Sequence, residues 1–185
     1  MRRALGVLIT TREVVSSAKL DRLMEMLGVL LEDGRRILLF SQFTSMLDLI
    51  EARLRAEQIG WVRISGDTKD RETPVLQFQS GAAKLFLISL KAGGTGLNLT
   101  AADTVILYDP WWNPAVENQA IDRAHRIGQE KAVIVYKMVA ARTIEEKILE
   151  MQARKGDIAR SILTDDAEGI QTITADDLNW VLARD

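Results

Sequence analysis

Three short stretches of this 185-residue chain carry residue types able to handle phosphate. The first is Lys91-Ala92-Gly93-Gly94-Thr95-Gly96-Leu97-Asn98. Its glycines let backbone amides approach an anion closely, and Lys91 and Thr95 add donors. It lacks the Gly-Lys-Ser/Thr ending of a P-loop, and a tight turn needing positive φ is the plainer reading of the same glycines. The second runs from Gln119 to Gln129 and holds Arg123 and Arg126 three residues apart, on one face if the segment is helical. Two guanidiniums held there can clamp a phosphoryl group, or simply complement a helix C-terminus with Asp122 paired to Arg126. The third is Asp109-Pro110-Trp111-Trp112-Asn113-Pro114. Adjacent tryptophans at a strand end are expected to point to opposite sides, one packed and one partly exposed. Asn113 there reads equally well as a helix cap.

The elements that must position these stretches follow from periodicity. Leu20, Leu23, Met24, Leu27, Leu30 and Leu31 repeat at helical spacing after Ser16 and Ser17, and Gly34 ends the helix. Residues 36–40, 61–64, 84–89, 104–108 and 132–138 are short apolar runs suited to buried strands. Between them lie helical patterns: one capped by Ser41 with Phe43, Met46, Leu47, Ile50 and Leu54 inward, and one opened by Thr73-Pro74. A third begins at Asn113-Pro114 and is expected to stop near Gly128, and a long one begins at a Thr143/Glu146 capping box. Strands alternating with amphipathic helices predict an α/β fold, a parallel sheet with helices on both faces plus a C-terminal helical extension. The loops starting at Ser41, Ser65, Ser89 and Asp109 then share one sheet edge, where ligands of such sheets bind.

Composition narrows the chemistry. There is no cysteine and one histidine, His125, which excludes thiol catalysis, disulfides and cysteine-ligated zinc. No apolar run approaches the ~20 residues of a membrane helix, and no signal peptide follows Met1, so an intracellular location and no membrane partner are expected. The net charge is −2, yet residues 157–185 hold seven acids against two arginines, leaving the remainder with 22 basic and 19 acidic residues. Nucleic-acid contact must therefore come from a local groove.

Read together and in order, these segments resemble the C-terminal RecA-like lobe of the Swi/Snf family in the second helicase superfamily. The resemblance rests on Ile37–Phe43, on Ile64-Ser65-Gly66-Asp67-Thr68 with Arg71 and Phe78, and on Ser89–Leu99. It rests further on the Trp-Trp-Asn-Pro element, on Gln119–Gln129 and on Thr143–Ile148. It implies a domain over 17–163, with a lead-in over 1–16 and an acidic tail with a short helix over 164–185. That tail resembles the ends of compact bacterial members, so a bacterial source is expected, with a cytoplasmic, nucleoid-associated location. A eukaryotic source implies the nucleus. Arg142 stands where the family usually has glycine, and Pro74 is unusual after Arg71.

The resemblance also implies roles. Arg123 and Arg126 become arginine fingers, Gln119 helps to position them, and Gly94, Gly96 and Asp122 face the ATP and the other lobe. Ser41, Gly66, Thr68, Ser89, Lys91, Gly93, Trp112 and Asn113 become contacts to double-stranded DNA. The sequence contains no Gly-x-x-x-x-Gly-Lys-Thr and no Asp-Glu-x-His. ATP and magnesium are therefore expected mainly on an N-terminal RecA-like lobe elsewhere in the parent polypeptide, this chain alone being inactive. No metal ligand is expected here, and a DNA-bound protein is a further expected partner. The alternatives are the C-terminal lobe of a strand-separating helicase and a non-catalytic nucleic-acid-binding module.

Overall fold

The computed structural model describes residues 17–93, 97–122, 124 and 133–162. The helical spacing near the start forms α1, Ala18–Glu32, with Leu20, Leu23, Met24, Leu27 and Leu30 buried. The unbroken apolar run that follows forms β1, Ile37–Ser41, buried along its whole length. After it come α2 (Thr44–Ala56), β2 (Val62–Ile64), α3 (Glu72–Ser80), β3 (Leu85–Ser89) and the single turn α4 (Leu90–Gly93). The chain continues through β4 (Thr104–Leu107), α5 (Pro114–Ile121), β5 (Ile134–Lys137) and α6 (Ile144–Ile162).

The five strands form one wholly parallel sheet in the order β2-β3-β1-β4-β5. Because successive strand side chains point to opposite faces, each apolar strand feeds two cores. Leu38, Phe40, Phe86, Ile88, Val105 and Leu107 pack with Phe78 of α3, Ala92 of α4 and Ala120 of α5. Ile37, Leu39, Leu85, Leu87 and Ile106 pack on the other side against α1 and α2. The result is the expected RecA-like α/β layering. β5 departs from it: Ile134 and Val135 are 38% and 37% exposed, not covered on both faces as the apolar run suggested. As the outermost strand, β5 has β4 as its one strand neighbour among the described residues.

Several helix starts differ from the sequence reading, each for a local polar reason. Ser41 does not cap α2; it ends β1, and Phe43 holds the cap position without a side-chain bond. The start of α3 lies at Glu72, not at Thr73-Pro74. Asp70 Oδ1 accepts from the amides of Glu72 and Thr73, both at 3.1 Å, and Pro74 sits in the first turn, where no intrahelical donor is needed. α5 begins as expected, with Asn113 Oδ1 accepting from Ala115 N at 3.0 Å and Pro114 in the first turn. It ends at Ile121 with Asp122 as its C-cap, and the expected stop near Gly128 lies outside the described residues. At α6, Thr143 Oγ1 accepts from Glu145 N at 3.2 Å, while Glu146 reaches one residue further back, to Arg142 N at 2.7 Å. Glu145 takes Lys19 Nζ at 2.5 Å and so ties α6 to α1. The short helix expected near Thr174 lies outside the described residues.

Two backbone positions lead to opposite expectations. Arg142 has φ +59, a left-handed conformation that costs a side-chain-bearing residue about 1–2 kcal/mol. Glycine adopts this conformation without that cost, in keeping with the glycine that the family resemblance implies at this place. Glycine's greater freedom in the unfolded chain returns about 0.5–1 kcal/mol of that. Arg142→Gly should therefore raise the unfolding free energy by up to about 1 kcal/mol, read as a higher denaturant midpoint at unchanged slope. Gly81 has φ +84, and an added Cβ would meet Arg36 Nη2 at 2.9 Å. That guanidinium is held by the Phe78 carbonyl at 2.5 Å. Gly81→Ala should lower the unfolding free energy by about 1 kcal/mol or more, read as a lower denaturant midpoint.

Candidate functional site

Parallel register brings the C-terminal strand ends to one edge, with Ser41 opposite Ser89 and Phe40 opposite Leu107. Open sheets of this kind bind ligands where adjacent strands send their connections in opposite directions. Here β1 leads towards β2 and its neighbour β4 towards β5, so that point lies between Ser41 and Asp109. The protein fills it with its own side chains. Ser41 Oγ donates to Asp109 Oδ2, which also accepts from Gln42 N at 3.3 Å, and Phe43 N donates to Ser41 Oγ at 3.2 Å. Ser41 is wholly buried and Asp109 nearly so. Burial pushes the Asp109 carboxyl above its usual range, while the Ser41 hydroxyl, the Lys19 charge and the Gln42 amide pull it back. Burial, reinforced by the charges of Asp109, Glu145 and Asp21, pushes the neighbouring Tyr108 up to about 12. The Lys19 ammonium stands 4.8 Å from the centre of the Tyr108 ring.

The other loops of the edge are more open. Ser65 and Thr68 close a turn: Thr68 N donates to Ser65 O at 3.1 Å and Ser65 N to Thr68 Oγ1 at 2.9 Å. Gly66 and Asp67 stand exposed at its tip. Gly66 has no positive φ, and a Cβ there would meet nothing within 4 Å, so the fold itself does not require glycine. Ser89 is buried, its hydroxyl accepting from Ala92 N at 3.3 Å. Ser41 and Ser89, expected among the DNA contacts, are thus turned inward; both shape the loops from beneath. Lys91 is exposed on the single turn that ends at Gly93. Gly94 and Gly96 lie outside the described residues.

The tryptophans do not point to opposite sides. Their ring centroids are 5.9 Å apart at an interplanar angle of 38°, and both are half-buried. β4 has already ended at Leu107, so strand alternation no longer governs them. Their segment is held by Glu117, in the first turn of α5 and 0% exposed. Its carboxylate accepts from Trp111 N at 2.7 Å, Lys137 Nζ at 2.5 Å and Gln152 Nε2 at 3.1 Å. Gln152 Nε2 also donates to the Trp111 carbonyl. Sequence reading missed this group, because an acid in a first helical turn looks like a dipole partner. The one available signal was Lys137, a cation within an otherwise apolar strand run.

Gln119 and Asp122 are exposed at the end of α5. Arg123 and Arg126 lie outside the described residues. The helix that leads towards them, α5, ends at Ile121, and their expected shared helical face lies outside the described residues. Among the described residues no cluster of three or more His, Asp or Glu is placed to hold a metal, and no helix is long and apolar enough to cross a membrane.

The Asp109 shift has a testable sign. Its folded pKa is raised, so the fold favours the protonated acid, and that contribution is present in full below the unfolded pKa near 3.8. It is lost as pH rises through the folded pKa. Asp109→Asn, which retains an acceptor for Ser41, should gain stability relative to the native chain between about pH 3.5 and pH 7. Paired denaturant titrations at the two pH values measure this.

Comparison with known proteins places the site in a family. The helicase conserved C-terminal domain matches residues 18–128. The chain is 46% identical over 156 residues to the chromatin-remodeling ATPase INO80 of Neurospora crassa, covering 83% of this chain and 8% of that protein. It is 44% identical over 165 residues to protein CHROMATIN REMODELING 24 of Arabidopsis thaliana, covering 88% of this chain and 15% of that protein. A crystal structure of the C-terminal part of the Fun30 ATPase domain superposes with a TM-score of 0.71 at 35% identity, over 76% of this chain and 47% of that one. The curated relatives named here are eukaryotic, so the expectation of a bacterial source finds no support in them. The chain belongs to the helicase conserved C-terminal domain family, in the form carried by Swi/Snf-type chromatin-remodelling ATPases.

Proposed function

We propose that this chain is the second motor lobe of an ATP-dependent translocase that moves along double-stranded DNA and remodels protein–DNA complexes. The observation that carries this reading is the division of the sheet edge. Its central crevice is filled by Ser41 and Asp109, whereas the tip of the Gly66–Thr68 turn and Lys91 are exposed on the neighbouring loops. An edge so arranged suits an extended polyanion and a facing protein lobe better than a small ligand enclosed at the switch point.

In this reading Gly66, Thr68, Lys91, Gly93, Trp112 and Asn113 line the path of one DNA strand. Ser41 and Ser89 hold the loops from below, and Asn113 also caps α5. Contacts of this kind go to phosphate, so they fix register without reading sequence. Arg123 and Arg126, with Gln119, Asp122, Gly94 and Gly96 beside them, face ATP and magnesium held mainly by an N-terminal RecA-like lobe of the same polypeptide. There the guanidiniums neutralise charge that develops on the transferring phosphoryl group. Chromatin remodelling by the named relatives supports a nuclear site of action and a DNA-bound protein as substrate.

Three results are expected. In the polypeptide carrying both lobes, Arg126→Ala should lower ATP turnover by about 10³-fold or more, and retention of over about a tenth of the activity would remove the finger assignment. Lys91→Ala should weaken duplex binding equally for unrelated sequences and reduce the slope of log affinity against log salt by about 1. Gly66→Ala has room in the fold, so it should leave the melting temperature unchanged while weakening the same binding.

A further inference from the structure

The three donors on Glu117 come from three different elements: the loop before α5, β5 and α6. Gln152 contributes two bonds from one amide nitrogen, to Glu117 and to the Trp111 carbonyl, and is itself 8% exposed. Neither contact is local, since the partners lie 35 and 41 residues apart in the chain. A charge wholly removed from water is costly unless such donors stay in place, so the group resists any change in the relative placement of its members. Glu117 also lies two residues before Gln119 on the helix that leads towards Arg123.

We propose that Glu117 and Gln152 are positioning residues, forming a buried polar joint through which α6 sets the pose of the Trp111-Trp112 loop and of α5. This rests on the motor reading for its consequence: the placement of α6 governs how the end of α5 is presented to the other lobe. The joint itself exists independently of that reading. Lys137 completes it by supplying the compensating charge from the sheet, its side chain 37% exposed.

Two measurements test the proposal separately from the motor reading. In the 185-residue chain, hydrogen exchange of the Trp111 amide, followed by NMR, reports the joint directly. That amide donates to Glu117, while Gln152 holds Glu117 and the Trp111 carbonyl, so loss of its protection in Gln152→Met reports the joint as a whole. A loss of about tenfold or more is expected at a temperature where circular dichroism shows the variant folded. Unchanged protection in the folded variant overturns the proposal. Should Gln152→Met not fold, Lys137→Met serves instead, and its lost protection should return when Glu117→Gln is added to remove the orphaned charge. Failure of that rescue counts against the joint.

In the two-lobed polypeptide, folded Gln152→Met should lower kcat about ten- to a hundredfold at saturating ATP and duplex DNA, with KM for ATP within about twofold. A rise in KM at unchanged kcat, or a kcat within about twofold of the native value, overturns the positioning role. Were the native two-lobed protein itself indifferent to DNA, the motor reading would fall, and the exchange result would decide the joint alone.

Discussion

A carboxylate with no access to water must draw its hydrogen bonds from whatever packs against it, and the arrangement around Glu117 depends on that constraint. Its acceptors are filled by a loop amide, a strand ammonium and a helix carboxamide. Losing Lys137 would strand a buried charge, which costs several kcal/mol, and losing either neutral donor would leave a buried acceptor unfilled, at about 1–3 kcal/mol. The loop with two tryptophans, the start of α5, the outer strand β5 and α6 are thereby specified relative to one another. Apolar packing alone would not do this, since contacts among aliphatic groups tolerate small shifts that a three-donor carboxylate does not.

The second constraint is the parallel register. It gathers Ser41, the Ser65–Thr68 turn and Ser89 on one edge of the sheet. Two of those groups are then consumed by the fold. The Ser41 hydroxyl locks onto Asp109, and the Ser89 hydroxyl caps the single turn α4. What stays open is a rim around a filled centre, which is the geometry expected of a lobe that works against a second body.

Much of the architecture was legible in the amino-acid sequence because burial leaves a periodic trace. The apolar runs at 37–40, 62–64, 85–88 and 104–107 became strands, and the leucines of α1 repeat as a buried helix face must. Caps were legible where the bond is local, as at Asn113, and illegible where it is not. Ser41 looked like a cap, yet its hydroxyl is engaged by an acid 68 residues away. Asp70, the real donor-satisfier of α3, was hidden behind the more conspicuous Thr73-Pro74. The tryptophan pair was misjudged because alternation was extended past the end of β4. Glu117 was invisible because its partners come from three separate elements that only tertiary structure assembles. Arg123 and Arg126 stand out by their spacing and by family resemblance, and both lie outside the described residues.

On the proposed function, this lobe does its chemistry only against another lobe and on duplex DNA. Its most direct test joins the chain to an N-terminal RecA-like lobe of the same family and follows ATP turnover with and without double-stranded DNA. The account predicts negligible turnover by either lobe alone, and turnover by the joined pair that duplex DNA raises severalfold. Turnover by this chain alone, or by the pair at a rate that DNA leaves unchanged, would contradict it.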